Sequence, residues 1–309
     1  MGETDARRRP AVWAALTAVY LIWGSTYLGI ELAMRTMPPL LMLSLRFLVA
    51  GALLWALVGR GQRVTLRHWR SAVVIGAALL LAGNGGVAIA QQTIDTGTVA
   101  LIVGSVPLWL ALLDRVFLRQ RLAPVAVAGL VVGFAGVALL AGGAGGGSLG
   151  GAAVVLLGSL AWAAGSLYAR RAAAPERPLA GAALQMLAGG ALLGLGGLAR
   201  GEAGEVDPAS ISGESIAALA YLVLIGSLVG FSAYVWLLRN APISLVGTYA
   251  YVNPVVAVAL GTLVLGEPLG ARVLIGGAAI LAAVILIVSA RPLVAPPRRA
   301  GAVAPTRAR

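Results

Sequence analysis

Ten runs of about twenty apolar residues fill almost the whole chain, and no other feature constrains its fold as tightly. A hydrocarbon core of roughly 30 Å takes about 20 helical residues to cross. The runs at 11–30, 38–58, 71–90, 98–116, 124–141, 149–169, 179–199, 215–238, 244–265 and 273–290 meet that length. Inside a bilayer every backbone N–H and C=O must find a partner within the protein, which helices achieve unaided. The expected fold is therefore an all-α integral membrane protein with ten transmembrane helices. Charge agrees: Asp, Glu, Lys and Arg make up 11% of the residues, against about a quarter in soluble domains. With 60% hydrophobic residues and a mean hydropathy of +0.93, a soluble globular enzyme is excluded. Cys is absent and His68 is the single histidine. Disulfides, thiolate nucleophiles and Cys- or His-ligated metal sites are thereby excluded, and no cofactor or metal is expected.

The distribution of charge gives orientation. Several runs open after proline (Pro38-Pro39, Pro124, Pro178), as helix starts do, and most connections are short. All 23 basic residues are arginines. With a cytoplasmic N-terminus, nineteen arginines fall inside, three (Arg35, Arg200, Arg272) outside, and Arg46 lies within the membrane. By the positive-inside rule both termini are cytoplasmic, so the number of spans is even. The net charge of +12 thus sits at helix ends, facing the lipid bilayer, and nucleic acid is not an expected partner. Residues 1–10 read as a basic cytoplasmic N-terminus, 201–215 as a polar surface loop, and 291–309 as a basic, disordered tail. Arg7–Arg9 ahead of an apolar run mimics a signal peptide, but the run is too long and no small-x-small cleavage site precedes a polar domain.

The chain repeats itself. Arg46-Phe-Leu-Val-Ala-Gly-Ala-Leu-Leu54 aligns with Gln185-Met-Leu-Ala-Gly-Gly-Ala-Leu-Leu193 at an offset of 139, as does Leu21-Ile-Trp23 with Leu160-Ala-Trp162. Pro107 pairs with Pro254, Gln120 with Glu267 and Gly129 with Gly276 at an offset of 147. Each unit, 11–141 and 149–290, holds five spans. Because five is odd, the second unit enters from the opposite face. Inverted repeats of this kind underlie many secondary transporters, in which one half rocks against the other.

These residues resemble the EamA-family permeases of the drug/metabolite transporter superfamily. The likeness rests on Trp23-Gly-Ser-Thr-Tyr27, Arg46-Phe47, Asn84-Gly-Gly with Gln91, and Ser105-Val-Pro107-Leu. In the second half it rests on Leu160-Ala-Trp162, Tyr249-Ala-Tyr-Val-Asn253-Pro254 and Gly266-Glu267-Pro-Leu. The resemblance implies a ten-helix carrier of the bacterial inner membrane, often exporting amino acids, other metabolites or drugs. The acidic residue that usually follows the fourth helix is kept as Glu267 but replaced by Gln120 in the first half.

Polar groups within a span need a partner or a water-filled cavity. Arg46 lies near the middle of the second span, where it attracts a substrate carboxylate or anchors a gate, or else hydrogen-bonds helix-end carbonyls or snorkels to an interface. Three glycines around Asn84 weaken the third span, so Asn84 and Gln91, on one helical face, are expected to line a cavity; the alternative is close packing through glycine. Tyr249 and Asn253 share a face just before Pro254. Pro107 takes the matching place in the fourth span, between Ser105 and Trp109. Prolines that free backbone carbonyls at matched positions point to a binding site at the repeat interface. Trp23, Tyr27 and Trp162 lie mid-span and suit an aromatic cavity wall. Gly129/Gly133 and Gly226/Gly230 read as packing motifs. Asp114, Arg115, Arg119, Arg121 and His68 read as solvated, and Glu31 and Glu267 as exposed charges near the outer face, with gating pairs as the alternative.

The expected function is alternating-access transport of small metabolites, foremost amino acids including apolar and aromatic ones. Multidrug or quaternary-cation export, with or without proton coupling, is the alternative. No Asp, Glu or His sits mid-span, which argues for facilitated diffusion as much as for proton antiport. A membrane enzyme would need convergent acids, bases or metal ligands, and a scaffold would carry an extramembrane domain. A monomer is expected rather than a dimer.

Overall fold

The computed structural model describes residues 3–117, 123–142, 149–241, 243–246 and 248–289. Every regular element among them is helical. Ten principal helices follow one another: α1 (Glu3–Met34), α2 (Pro39–Val58), α3 (Leu66–Gly76, Ala77–Asn84, Gly85–Gln91), α4 (Thr96–Val103, Val106–Phe117), α5 (Pro124–Ala141), α6 (Leu149–Ala169), α7 (Pro178–Ala199), α8 (Gly213–Tyr221, Leu222–Val229, Gly230–Asn240), α9 (Tyr249–Leu265) and α10 (Ala271–Ser289). Among the described residues, eight of these are long and apolar enough to cross a membrane, and α9 and α10 are shorter apolar helices. The observed helices lie along the predicted runs, but α1 reaches back to Glu3, into the segment expected to be a cytoplasmic N-terminus, and three further places depart.

The run 244–265 divides into a single turn, Ile243–Val246, and α9, because the Thr248 hydroxyl takes the Leu245 carbonyl at 2.5 Å and turns the chain. The run 98–116 breaks at Gly104-Ser105, where Ser105 N–H bonds back to the Ile102 carbonyl. Pro107 lies just beyond, and proline can neither donate to the preceding turn nor fit against it. Pro254, its repeat mate, instead sits inside an unbroken α9. Third, α3 and α8 widen into π-helical segments at Ala77–Asn84 and Leu222–Val229. The weakness expected around Asn84 is thus a widening of the helix rather than an unwinding. Asn84 Nδ2 donates to the Leu79 carbonyl at 3.2 Å, and Ser227 Oγ donates to the Leu222 carbonyl at 2.9 Å. Each side chain reaches five residues back, to a carbonyl that the wider turn leaves poorly served.

The two repeat offsets reappear as pairs of reciprocal contacts. Helices α2 and α7 are antiparallel: a Cβ on Gly51 would lie 3.0 Å from Leu187, and one on Gly190 would lie 3.0 Å from Leu48. Adding 139 to Gly51 and subtracting it from Leu187 turns the first pair into the second. Between α5 and α10, Gly129 meets Ile287 and Gly276 meets Leu140, pairs that interchange at an offset of 147. Gly83 lies against Trp162, and Gly230 against Trp23, each at 2.7 Å for the added carbon. Small residues let these helices approach closely, which is how helices associate where lipid removes the hydrophobic drive.

Polar side chains tie helix ends on one side of the molecule and on the other. Three glycines have positive φ (Gly61 at 78°, Gly201 at 82°, Gly266 at 71°), and each is followed by Gln or Glu. Glu202 Oε2 accepts from Leu40 N and Leu41 N, both at 2.9 Å, capping the start of α2. Gln62 Oε1 accepts from Arg177 N at 3.2 Å, capping the start of α7. Glu267 accepts from Thr96 N at 2.6 Å and Gly97 N at 2.9 Å, capping α4. Each cap crosses from one repeat to the other. Helix N-termini present unsatisfied N–H groups and a partial positive charge, so a carboxylate there is doubly favoured. Two expectations change accordingly. Glu267 is a partly buried helix cap rather than an exposed charge, and the 201–215 segment carries a carboxylate, Glu202, that is 2% exposed. Gln120, Arg119, Arg121 and the 291–309 tail lie outside the described residues. His68 is half-buried and forms a capping box with Thr65 at the start of α3.

Candidate functional site

The third segment of α8 (Gly230–Asn240), which follows the π-widened one, meets the middle of α1 and the start of α9 in an aromatic cluster that includes the predicted Trp23 and Tyr249. Trp23 stands 5.0 Å from Tyr234, 5.3 Å edge-on from Tyr249 and 6.0 Å from Phe231, centroid to centroid. Tyr234 and Tyr249 are 5.7 Å apart and nearly perpendicular. Edge-to-face pairs at these spacings are the preferred aromatic geometry. The indole fits because residue 230 is glycine, as its close approach shows. Below the cluster the Tyr20 and Thr248 hydroxyls hydrogen-bond each other, joining α1 to the start of α9. Val12, Leu16, Val19, Leu237 and Val246 form the apolar packing there.

Arg46 enters the same wall one turn away. Its Nε donates to Ser227 Oγ at 3.2 Å, and its guanidinium carbon lies 4.7 Å over the Phe47 ring. A Cβ on Gly226 would sit 3.4 Å from Arg46 Nη2. Gly226 and Gly230 are four residues apart, about 6 Å along a helix. One therefore receives the guanidinium and the other the Trp23 indole. These glycines are seats for the site's two largest groups as well as packing positions. Arg46 is 5% exposed, its Nη1 has no hydrogen-bond partner, and none of its bonds goes to a carboxylate among the described residues. A buried unpaired cation costs several kcal/mol, so the fold holds it there against a penalty.

The other predicted residues divide. Ser105, Trp109 and Asn253 are buried or half-buried where α4 and α9 cross near their prolines; a Cβ on Gly104 would lie 3.3 Å from Pro254. Ser105 Oγ, Trp109 Nε1 and Asn253 Oδ1 are buried without partners, as is Ser159 Oγ on α6. Trp109 is held edge-on by Phe134 at 4.9 Å. Orphaned polar atoms are rare in folded interiors, and their concentration along the mid-depth of α4, α6 and α9 marks a polar lining. Trp162 packs on Gly83 in the other half, and Asn84 stands half-buried beside it. Gln91 does not share a free wall with Asn84: its Nε2 donates to the Tyr27 carbonyl at 3.0 Å and to Thr96 Oγ1 at 3.1 Å, so it joins α1, α3 and α4, leaving Oε1 unpartnered. Phe231, Tyr234, Ser227 and Glu202 were not anticipated. Phe231 was within reach, for it is the repeat mate of Asn84 at the offset of 147. At the helix ends beside Glu267, burial raises the Asp95 carboxyl above its ordinary value, and the Glu267 charge reinforces the shift. No group of three or more metal-ligating residues occurs among the described residues.

Two helical repeats with reciprocal interfaces, lined at mid-depth by aromatic and unsatisfied polar groups, define a membrane transporter. The comparisons specify which. The EamA-like transporter family matches twice, over residues 9–142 and 149–289, and the chain belongs to that family. It is 40% identical over 296 residues to a protein of Escherichia coli strain K12 named as the uncharacterized inner membrane transporter YedA, covering 92% of this chain and 95% of that one. It is 21% identical over 281 residues to an uncharacterized transporter of Archaeoglobus fulgidus, covering 90% and 99%. A solved structure titled "Crystal structure of protein" shares the fold, with a TM-score of 0.61 and 22% identity over 93% of this chain and 99% of that one. The chain is a multi-pass inner-membrane transporter of the EamA type.

Proposed function

We propose that the chain carries small amphipathic metabolites bearing a carboxylate, foremost amino acids with apolar or aromatic side chains. The observation that carries this reading is the buried guanidinium of Arg46, with Nη1 unpartnered, seated one helical turn from the Trp23–Tyr234–Tyr249 cluster. A carboxylate would supply the missing counter-charge through a charge-assisted bond, and the aromatic walls would take the side chain. Ser227 is the positioning residue: it accepts from Nε and so turns the rest of the guanidinium toward the interior. Quaternary-cation export is the second reading, favoured by the same rings, which attract cations. Arg46 stands against it, since no carboxylate pairs with it among the described residues.

The mechanism that fits is alternating access. Ten spans with both termini cytoplasmic place the Arg60, Arg63 and Arg67 end inside and the Glu31, Asp95, Glu202, Glu214 and Glu267 end outside. The antiparallel α2–α7 pair supports inversion of the repeats, 11–141 and 149–290, and the chain acts as a monomer. The test is counterflow in proteoliposomes loaded with unlabelled amino acids and offered a labelled panel, with and without a pH gradient. Accumulation that Arg46→Gln abolishes is expected. No counterflow of any amino acid by demonstrably folded protein overturns the substrate class in favour of the cation reading.

A further inference from the structure

The repeat symmetry allows the two ends of the molecule to be compared residue for residue, and they are not equivalent. At the acidic end, α1 is fastened to the start of α8. Arg35 Nη1 donates to Oε2 and Oε1 of Glu214 at 2.9 and 3.1 Å. Thr36 Oγ1 accepts from Ser212 N at 3.1 Å, and Ser215 Oγ, fully buried, donates to the Leu32 carbonyl at 2.9 Å. About two turns deeper, Ser25 Oγ and Tyr221 Oη bond at 2.6 Å. Arg46 lies behind this clasp.

The same positions at the basic end follow from the offsets that the reciprocal contacts establish, 139 for α1 and α2 and 147 for α8 counted back to α3. Arg35 becomes Ala174, Thr36 becomes Pro175, Glu214 becomes Arg67, Ser215 becomes His68 and Arg46 becomes Gln185. Those residues include no acid to pair with Arg67, and among the described residues His68 bonds only to Thr65 on its own helix start, so no counterpart of the clasp is made. In its place is a small cleft of about 10 Å³, room for little more than one water molecule, whose lining includes His68, Ser71, Ala174, Pro175 and Gln185. The cleft is thus the symmetry mate of the clasp. One end is bolted, and the other is the same junction without its bolt.

From this we infer that Arg35–Glu214, with Thr36, Ser212 and Ser215, is the outer gate of the transporter in its closed state, and that the His68–Gln185 junction is the inner mouth, which no equivalent clasp holds shut. The inference rests on the transporter reading but not on the identity of the substrate. It also relocates the gate, away from the Glu31 and Glu267 carboxylates and onto an ion pair that bridges the two repeats.

The natural absence of cysteine makes the test direct. Gln185→Cys and, separately, Ala218→Cys are introduced into the full chain, and each is labelled with a membrane-impermeant maleimide from either side of oriented vesicles. Ala218 is buried immediately behind the clasp. Gln185→Cys is expected to label from the cytoplasmic side, and Ala218→Cys to resist labelling from the outside. Adding Glu214→Gln should raise the outside labelling rate of Ala218→Cys about two- to fivefold, the range for loss of a partly exposed ion pair. The charge swap Arg35→Glu with Glu214→Arg should restore protection, which a merely destabilised fold would not do. Rapid outside labelling of Ala218→Cys with the clasp intact, or a rate indifferent to Glu214→Gln, overturns the gate. Labelling as expected in a chain that carries no amino acid keeps the gate and removes only the substrate proposal.

Discussion

Glu202 is the most informative residue to perturb for stability. Its carboxylate is buried, accepts two backbone N–H groups at the start of α2, and has Arg200 Nε at 3.7 Å from Oε1. Glu202→Ala strands the N–H groups of Leu40 and Leu41, and Leu40 is itself buried. Each stranded buried donor costs about 1–3 kcal/mol. Relief of the carboxylate's own desolvation offsets part of that, which leaves about 2–4 kcal/mol of destabilisation. Glu202→Gln keeps an acceptor and loses only charge assistance, worth about 1 kcal/mol here because charged bonds are roughly twice as strong as neutral ones. The expected order of stability is therefore wild type, then Gln, then Ala. Detergent-solubilised protein unfolded by heat or by a denaturing surfactant would report it, with intrinsic tryptophan fluorescence as the signal. Equal stability of wild type and Glu202→Ala would refute the capping argument, because solvent would then be shown to reach the same N–H groups.

Four further outcomes follow from the geometry. Gly230→Ala and Gly83→Ala each place a carbon 2.7 Å from a tryptophan ring and should each cost about 1–3 kcal/mol by overpacking; thermal unfolding of either near the wild-type midpoint would contradict the reciprocal seats. Arg46→Met removes a buried unpaired charge, so it should unfold no earlier than wild type while losing counterflow, since hydrophobic replacements of buried ions are commonly neutral or stabilising. A large fall in its midpoint would instead make Arg46 a structural residue. The Asp95 carboxyl is raised in the folded state, so the native chain holds that proton more tightly than the unfolded one, and stability falls as pH rises from the ordinary carboxylate value through the raised one. Asp95→Asn should flatten the melting midpoint against pH just above pH 4, and an unchanged slope would remove that linkage.

Much of the fold was legible because a membrane helix must announce itself along its whole length. Helices lie along the apolar runs, eight of them long and apolar enough to cross a membrane among the described residues, and both repeat offsets return as glycine contacts between α2 and α7 and between α5 and α10. Candidate site residues stood out where type alone is unusual: a mid-span Arg46, and Trp23 and Tyr249, whose rings meet in one cluster. What stayed hidden depends on separations that no local pattern records. The Glu202 cap joins residues 162 apart in sequence, and a Gly-Glu pair after a helix looks like any surface turn. Gln91 shares a helical face with Asn84, yet its amide is taken by the Tyr27 carbonyl of a different helix. Pro107 and Pro254 read alike, but one breaks its helix beside a glycine and the other is absorbed.

The paired caps on α2 and α7 bear on how such a molecule can move at all. Glu202 fastens the start of α2, Gln62 fastens the start of α7, and Ser44 Oγ bonds the Gly190 carbonyl between them at 2.8 Å. Stapled near both tips and at the waist, these two helices form a stiff central beam. They cannot slide past one another without stranding main-chain donors. Under the alternating access proposed above, movement is left to the flanks, where α1 parts from α8 and α6 parts from α3, two junctions that lie on either side of the beam like the pans of a balance. A substrate crossing the membrane would then be weighed from one pan to the other while the beam itself stays still.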